Sequence, residues 1–497
     1  MKFGLLSTIL LAGSLTATAQ VKLIKDINPN GDASPMWITG FGSRVVFFAN
    51  NDSVGSELWS YDTAARLEYD INPGVAYGGV FSDNQRMAQS GGVLYFPADN
   101  GTNGIELYKW NGVNTPSIAT EVNTGGSANI TEVLAHDGRI YFNADNGTHG
   151  TELWSYTIAT NYTQRLTDLN PGINSSFPMN FTVYKNKIYF TANTGTSGSE
   201  MYAYDPATNV TAMVSDIAAG ATSSFPQGYA VINNKLYFSA YTPSFGRELY
   251  SFDSVNIMRL TNVDNGSGDG VYAVSNGQTQ LIWYKNKIYF AGNDGITVDL
   301  YQYNPSNGVA SKVYAINPSG SSYPQNFTYY AGKIFFSADD GTHGAELWSY
   351  DGTNQPLMTA DIDSNTGVSS YPSNMLRWGT NFYFSAYTNA NGMELYKLSD
   401  SAALSIQNVR FDAAVKVYPN PTANVANIEI SSESALQLGY VLTDVSGKIV
   451  ARENAKTYSA GTNTITLNMQ TLPAGIYIYR LFDNNGSMQA SGRIEKQ

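Results

Sequence analysis

The sequence predicts an all-β chain: an eight-bladed β-propeller closed by its N-terminal strand, then a small Ig-like β-sandwich. Three observations point there: a phrase that recurs along the chain, a composition weighted toward strand formers, and a change of pattern after residue 400. The phrase reads GSELWSYD at 55–62, GIELYKWN at 104–111, GTELWSYT at 150–157 and AELWSYDGT at 345–353, with looser copies at 198–205, 246–253, 298–304 and 392–399. Its acidic position is filled by Glu57, Glu106, Glu152, Glu200, Glu248, Asp299, Glu346 and Glu394, and successive copies lie 46 to 51 residues apart. Tandem units of roughly 40 to 50 residues with strand signals are how propeller blades look in sequence.

Composition supports strands and excludes some functions. Aromatic residues reach 13% and charged residues only 14%, against about 25% charged in an average soluble chain, and aromatics favour a pleated, half-buried surface. A formal charge of -12 works against nucleic acid and anionic membrane surfaces, so no nucleic-acid partner is expected. The chain has no Cys, so stability must come from packing rather than disulfides. Beyond the N-terminus no run approaches the roughly 18 apolar residues of a membrane-spanning helix.

Residues 1–19 open with one Lys, continue apolar to about Leu15 and end in Ala17-Thr18-Ala19, the pattern of a secretory signal peptide. VKLIKDI (21–27) follows. It matches the fourth-strand runs AMVSDI (212–217) and LMTADI (357–362), yet it precedes the first repeat. A single repeat, residues 180–217, breaks into four strand-like runs: FTVY, KIYFTA, EMYAYD and TAMVSDI. Lys185-Asn186 joins the first two, with counterparts Asp137-Gly138, Asn233-Asn234 and Ala331-Gly332, at positions that require the positive φ of a two-residue hairpin. The last repeat supplies NMLRWG, NFYFSA and MELYKL but no fourth run. Residues 21–27 are expected to complete it, closing a ring of eight four-stranded blades over residues 20–400 and removing both exposed edges. A solenoid, the rival architecture, would instead end in polar caps.

The repeated carboxylate opens a strand whose two faces both pack against neighbouring blades. A buried carboxylate must accept hydrogen bonds, and the nearest donors are backbone N–H groups of the Gly-rich loop before it or of the DINPG-type connection after the fourth strand. The alternative is a ring of cation ligands; catalysis is disfavoured, because a catalytic site is one asymmetric constellation. In a meander the loops between strands two and three share a rim with the connections between blades. On that rim stand the aromatics that precede Pro, Phe177, Phe225, Tyr323 and Tyr371, with Trp37 in the first blade. They read either as platforms that stack on sugars or peptide side chains or as plugs between blades. The Asp-Asn-Gly loops offer Asp99, Asp145, Asp339 and Asp340 as candidate calcium ligands, since hard cations take oxygen ligands, but the ligand ladder of an EF-hand is missing and Asp-Gly is first a turn former. No cofactor is otherwise expected. Only His136, His149 and His343 exist, and no nucleophile elbow, P-loop or HExxH motif occurs.

ELWSYDGT at 346–353 resembles the signature of the ELWxxDGT repeat family of exported bacterial proteins, with Asp299 the largest departure among the other copies. That resemblance covers roughly residues 21–400 and implies a propeller without assigning an activity. Residues 401–412 read as a polar linker. From 413 to 497 the runs VYPNPTANVANIEI, YVLTDVSGKIVA and LPAGIYIYRL alternate like strands of a small sandwich. Through Pro419, Asn420 and Pro421, then Asp444, Gly447 and Lys448, then Gly475 and Tyr477, this segment resembles the type A C-terminal sorting domain of the type IX secretion system of Bacteroidota. The resemblance implies passage through the type IX machinery and release or attachment at the outer cell surface. The expected function is therefore a non-catalytic, secreted or surface-displayed propeller that binds a glycan or protein. A secreted carbohydrate-active hydrolase or lyase and a purely adhesive surface protein are the alternatives.

Overall fold

The structure, a computed structural model, describes residues 20–79, 87–273, 280–399, 413–432, 435–444, 449–482 and 488–497. Residues 1–19, expected to be a signal peptide, and 401–412, expected to be a linker, lie outside the described residues. The chain divides into two compact units, one running to Ser401 and one from Ala402.

In the first unit the described residues form eight four-stranded antiparallel sheets and no helix. Sheet one shows the plan. Met36–Phe41 pairs with Arg44–Asn51, which pairs with Gly55–Tyr61, which pairs with Ala65–Tyr69. Sheets two to seven repeat it over 88–120, 133–165, 179–215, 227–259, 282–314 and 325–360. The hairpin turns take the predicted left-handed backbone: φ is 47° at Lys185 and 62° at Asn186, 48° at Asn233 and 59° at Asn234. Their twist matches that of the flanking strands, which keeps each meander short and regular.

Sheet eight is assembled from both ends of the unit. Its order runs from Gln20–Lys25 to Gly392–Ser399, Asn381–Thr388 and Ser373–Trp378. Val21 lies opposite Leu398 and Lys22 opposite Lys397. Each pair of neighbouring sheets shares an apolar core. Phe48 of sheet one packs with Phe96 of sheet two, and Tyr330 of sheet seven with Phe382 of sheet eight. Sheets eight and one do the same: Val45, Phe47 and Trp59 share a cluster with Tyr383 and Leu395. A Cβ on Gly40 would come within 1.9 Å of the Trp378 indole, so the first and last inner strands meet too closely for any side chain there. Both faces of each sheet are covered, which is why the second strand reads as an almost continuous apolar run, such as VVFF, IYF and IFF. Each fully buried Leu or Phe in it adds about 1.5 to 3 kcal/mol of burial.

The second unit holds two antiparallel sheets among its described residues. One contains Ala413–Tyr418, Val425–Ser432 and Gly461–Asn468; the other contains Ile449–Tyr458, Leu436–Asp444, Gly475–Phe482 and Met488–Lys496. Ile428, Ile430 and Ile465 of the first meet Leu442, Tyr479 and Leu481 of the second in one core, the facing arrangement of a sandwich.

Candidate functional site

The repeated carboxylates are buried staples between sheets. All eight side chains sit on residues with 0% exposure. Glu57 accepts from the N–H groups of Ile71 at 2.6 Å, Gly78 at 2.8 Å and Asn72 at 3.3 Å. Glu346 takes the N–H of Ile362 at 2.8 Å and both the N–H and the hydroxyl of Ser370, at 3.0 and 2.7 Å. Glu106, Glu152 and Glu200 hold the same connections, through Val122, Leu169 and Ile217 at 2.8, 3.1 and 2.9 Å. Glu248 takes Val263 N–H at 3.0 Å and the Thr261 hydroxyl at 2.5 Å. Each carboxylate therefore ties its third strand to the connection leading into the next sheet. Glu394, near the far end of the first unit, accepts from Ile27 and Asn28 at 3.0 and 3.1 Å.

Burial raises Glu57, Glu248, Glu346 and Glu394 to about 7 and Glu106 and Glu200 in the same direction, with the N–H donors opposing it. Sheet six departs. Asp299 is one methylene shorter and binds the hydroxyls of Ser322 and Thr297 at 2.8 and 2.7 Å, and Lys312 Nζ lies 2.9 Å from it. The cation compensates the charge that backbone donors handle elsewhere.

Two further repeat positions escaped the sequence reading. The Asn of the DIN phrase donates across its own connection: Asn72 to Tyr77 O, Asn123 to Ser127 O and Asn170 to Ser175 O, at 3.3, 2.9 and 3.0 Å. The Gly two residues before the carboxylate has positive φ, and at Gly150 a Cβ would lie 2.1 Å from Asn174 O. The spacing Gly-x-Glu and the recurring Asn of DIN (70–72), EVN (121–123) and DLN (168–170) were visible as signals for both.

The aromatic positions are set by backbone as well as side chain. Each precedes an inner strand in a left-handed conformation: φ is 47° at Phe177, 42° at Phe225 and 45° at both Tyr323 and Tyr371. Their exposures are 57%, 51%, 48% and 55%. Trp37 is a correction. It is only 5% exposed and packs edge-on against Phe48 with ring centroids 5.1 Å apart. The residue in register with Phe177 is Ser34: Ala33 O receives the Asn50 N–H as Ser176 O receives the Asn193 N–H. Trp37 instead fills the bulge between Met36 and Thr39, the place of Asn180 between Met179 and Thr182. In sheet three the aromatic's place is taken by Asn129, with φ 50°. In sheet six it is taken by Val271, and the ring of the adjacent Tyr272 packs tilted against Tyr323 with centroids 5.5 Å apart.

The loop acids serve their own turns. Asp99, Asp145 and Asp339 accept the N–H of Gly101, Gly147 and Gly341 at 2.7, 2.7 and 2.6 Å. Asp340 binds the N–H groups of Thr342 and His343 at 2.8 and 2.9 Å and His343 Nδ1 at 2.7 Å. Among the described residues no group of three or more His, Cys, Asp or Glu converges as a metal site would.

In the second unit the Pro419-Asn420-Pro421 turn is laced to the C-terminal strand. Asn420 donates to Arg493 O at 2.8 Å and accepts the Glu495 N–H at 2.8 Å, and Thr422 N–H donates to Glu495 O at 2.8 Å. The Asn side chain thereby acts as an extra strand residue. Asp444 lies opposite Tyr477, whose hydroxyl donates to Pro473 O at 2.8 Å, and Gly475 lies opposite Lys496. Gly447 and Lys448 lie outside the described residues.

Residues 416–494 match the family of secretion system C-terminal sorting domains. The chain is thus secreted or attached at the outer surface, and its tail implies contact with the type IX secretion machinery. No curated protein sequence matches the chain. Among solved structures it is similar to PorZ, a surface component of the type IX secretion system of Porphyromonas gingivalis, at 13% identity over 92% of this chain and 68% of that one, TM-score 0.41. It is similar to a Mycobacterium tuberculosis puromycin-hydrolyzing peptidase at 9% identity over 69% of this chain, with TM-score 0.42, and spans 57% of that chain's length. It is also similar to Saccharomyces cerevisiae Sqt1 at 9% identity over 77% and 99% of the two chains, TM-score 0.42. Among the described residues no helix is long and apolar enough to cross a membrane.

Proposed function

We propose that residues 20–400 are a closed, eight-bladed propeller of ELWxxDGT-type repeats, delivered by the signal peptide and sorting tail to the outside of the cell. There it binds an extracellular ligand, glycan or protein, without catalysing a reaction. The ring reading is supported by the shared core of sheets one and eight and by Glu394 holding Ile27 and Asn28 as the other carboxylates hold their connections. The binding reading rests on one observation: four aromatics stand half exposed in a backbone conformation that disfavours them. A left-handed residue costs an ordinary side chain about 1 to 2 kcal/mol, and Asn129 shows that this repeat accepts a cheaper one. A large apolar side chain that meets such a cost without full burial is the local conflict expected where function overrides stability. Flat aromatic faces at the mouths of inner strands suit stacking on sugar rings or peptide side chains.

The test is a glycan array probed with the full secreted chain, with and without calcium, beside the variant F177N/F225N/Y323N/Y371N. Asn keeps the positive φ, so the variant retains the fold and loses the platforms. Binding that disappears in the variant supports the reading; binding that survives unchanged removes the aromatics from it. Breakdown of a bound glycan would overturn the non-catalytic part.

A further inference from the structure

The fifth sheet differs from the others at the mouth. Where other sheets carry loops such as ADNGTHG, its loop reads YTPSFG, and the residue before the carboxylate is Arg247, a place held elsewhere by Ser56, Ile105, Thr151, Ser199, Val298, Ala345 and Met393. Arg247 is 9% exposed. Its guanidinium runs past the second strand toward the inner one, donating from Nη1 to Phe225 O at 2.9 Å and to Ser239 Oγ at 3.3 Å. Both bonds leave from the same nitrogen, so the N–H groups of Nε and Nη2 remain for another acceptor among the described residues.

Among the described residues the charge has no counterion: Arg44, Arg66 and Arg165 of the same unit pair with carboxylates, whereas no described carboxylate lies within ion-pair distance of Arg247. The nearest influence, Asp269, spends an oxygen on the Arg247 backbone N–H at 2.7 Å. Burial lowers the guanidinium's pKa, which Asp269 partly offsets. A buried, unpaired cation is costly, and the offset that would be most effective is an anion arriving from outside. The planar fork of Arg matches a carboxylate in two parallel bonds. Phe225, whose backbone carbonyl takes one of these bonds, carries a ring that is 51% exposed.

We propose that Arg247 and Phe225 form a subsite for a sugar bearing a carboxylate, a uronate unit of an acidic glycan: the ring stacks on Phe225 and the carboxylate meets the open edge of the guanidinium. This rests on the glycan form of the binding reading above and names its ligand class. The net charge of -12 works against an acidic ligand over the surface as a whole, so a preference for one depends on a local cation such as Arg247.

The experiment measures binding of the full chain to galacturonate, glucuronate, mannuronate and guluronate oligosaccharides, each beside its carboxyl-reduced, neutral counterpart. At least one acid form should bind about tenfold more tightly than its neutral partner, the equivalent of one good charge-assisted contact. Arg247→Gln should abolish the preference and leave neutral binding in place, Arg247→Lys should keep part of it, and Phe225→Asn should weaken both forms. Equal binding of acid and neutral forms by the natural chain, or a preference that survives Arg247→Gln, overturns this inference and leaves the glycan reading standing. Failure of every sugar to bind in either form overturns both.

Discussion

Glu346 shows why one carboxylate per sheet is retained in an apolar strand. It satisfies Ile362 N–H, Ser370 N–H and the Ser370 hydroxyl at once, and a buried donor left without a partner costs about 1 to 3 kcal/mol. Glu346→Ala is therefore expected to lower stability by roughly that amount, read as a shift in the urea midpoint at constant slope; an unchanged midpoint would show that the donors find water. The same burial makes stability depend on pH. Glu57, Glu248, Glu346 and Glu394 titrate at 4.5 when unfolded and at about 7 when folded. Between those values the folded chain holds more protons, so unfolding free energy falls as pH rises. Their contribution is complete below about 4.5 and lost as pH passes 7. Urea midpoints at pH 5 and pH 8 should differ in that sense, and removing one of these carboxylates should flatten the profile.

The strands and hairpins were legible because their causes are local: alternating β-branched and aromatic residues, and turn pairs that tolerate left-handed backbone. The connections were less so. The DINPG-type connection was one of two candidate donor sets for the carboxylate; the fold selects its N–H groups, which face the Glu of the third strand, and adds the Asn side chain spanning the turn. The first connection misled for a related reason. SPMW carries an aromatic near a Pro, but the left-handed position falls on Ser34, one step before Pro35, and Trp37 drops into the bulge and the core. Arg247 is visible in sequence as the one charged residue at its repeat position, but its reach to the Phe225 carbonyl, 22 residues away at the entry to the same sheet, is set by strand pairing that the repeat phrase does not spell out. These positions carry an unusual expectation. Tyr371→Asn and Phe177→Asn should raise stability by about 1 kcal/mol each by relieving left-handed strain, while weakening ligand binding. A fall in melting temperature for both would mean that the rings are packed more firmly than their half exposure indicates.

At the scale of the unit, everything turns on the strand Gln20–Lys25 lying beside Gly392–Ser399. Without it, Gly392–Ser399 would present an open edge of unpaired N–H and C=O groups, and the cluster of Val45, Phe47, Trp59, Tyr383 and Leu395 would lose its lateral support. The pairing was foreseeable because 21–27 carries the fourth-strand pattern with no sheet of its own, yet its partner lies at the other end of the unit and no local signal names it. The chain contains no Cys, which makes a crosslink unambiguous. Lys22 and Lys397 are opposite one another, within the Cα separation a disulfide can span. In K22C/K397C the bond should form on oxidation, run faster than the reduced form on a denaturing gel, and raise stability by about 3 to 5 kcal/mol because it closes a very long loop in the unfolded chain. Reductant should reverse both effects. If the two thiols stay free under oxidising conditions, or link chains rather than ends of one chain, the two ends of the unit do not meet in solution. The proposed ring would then be open, and the shared rim on which the aromatics are proposed to act would have no fixed geometry.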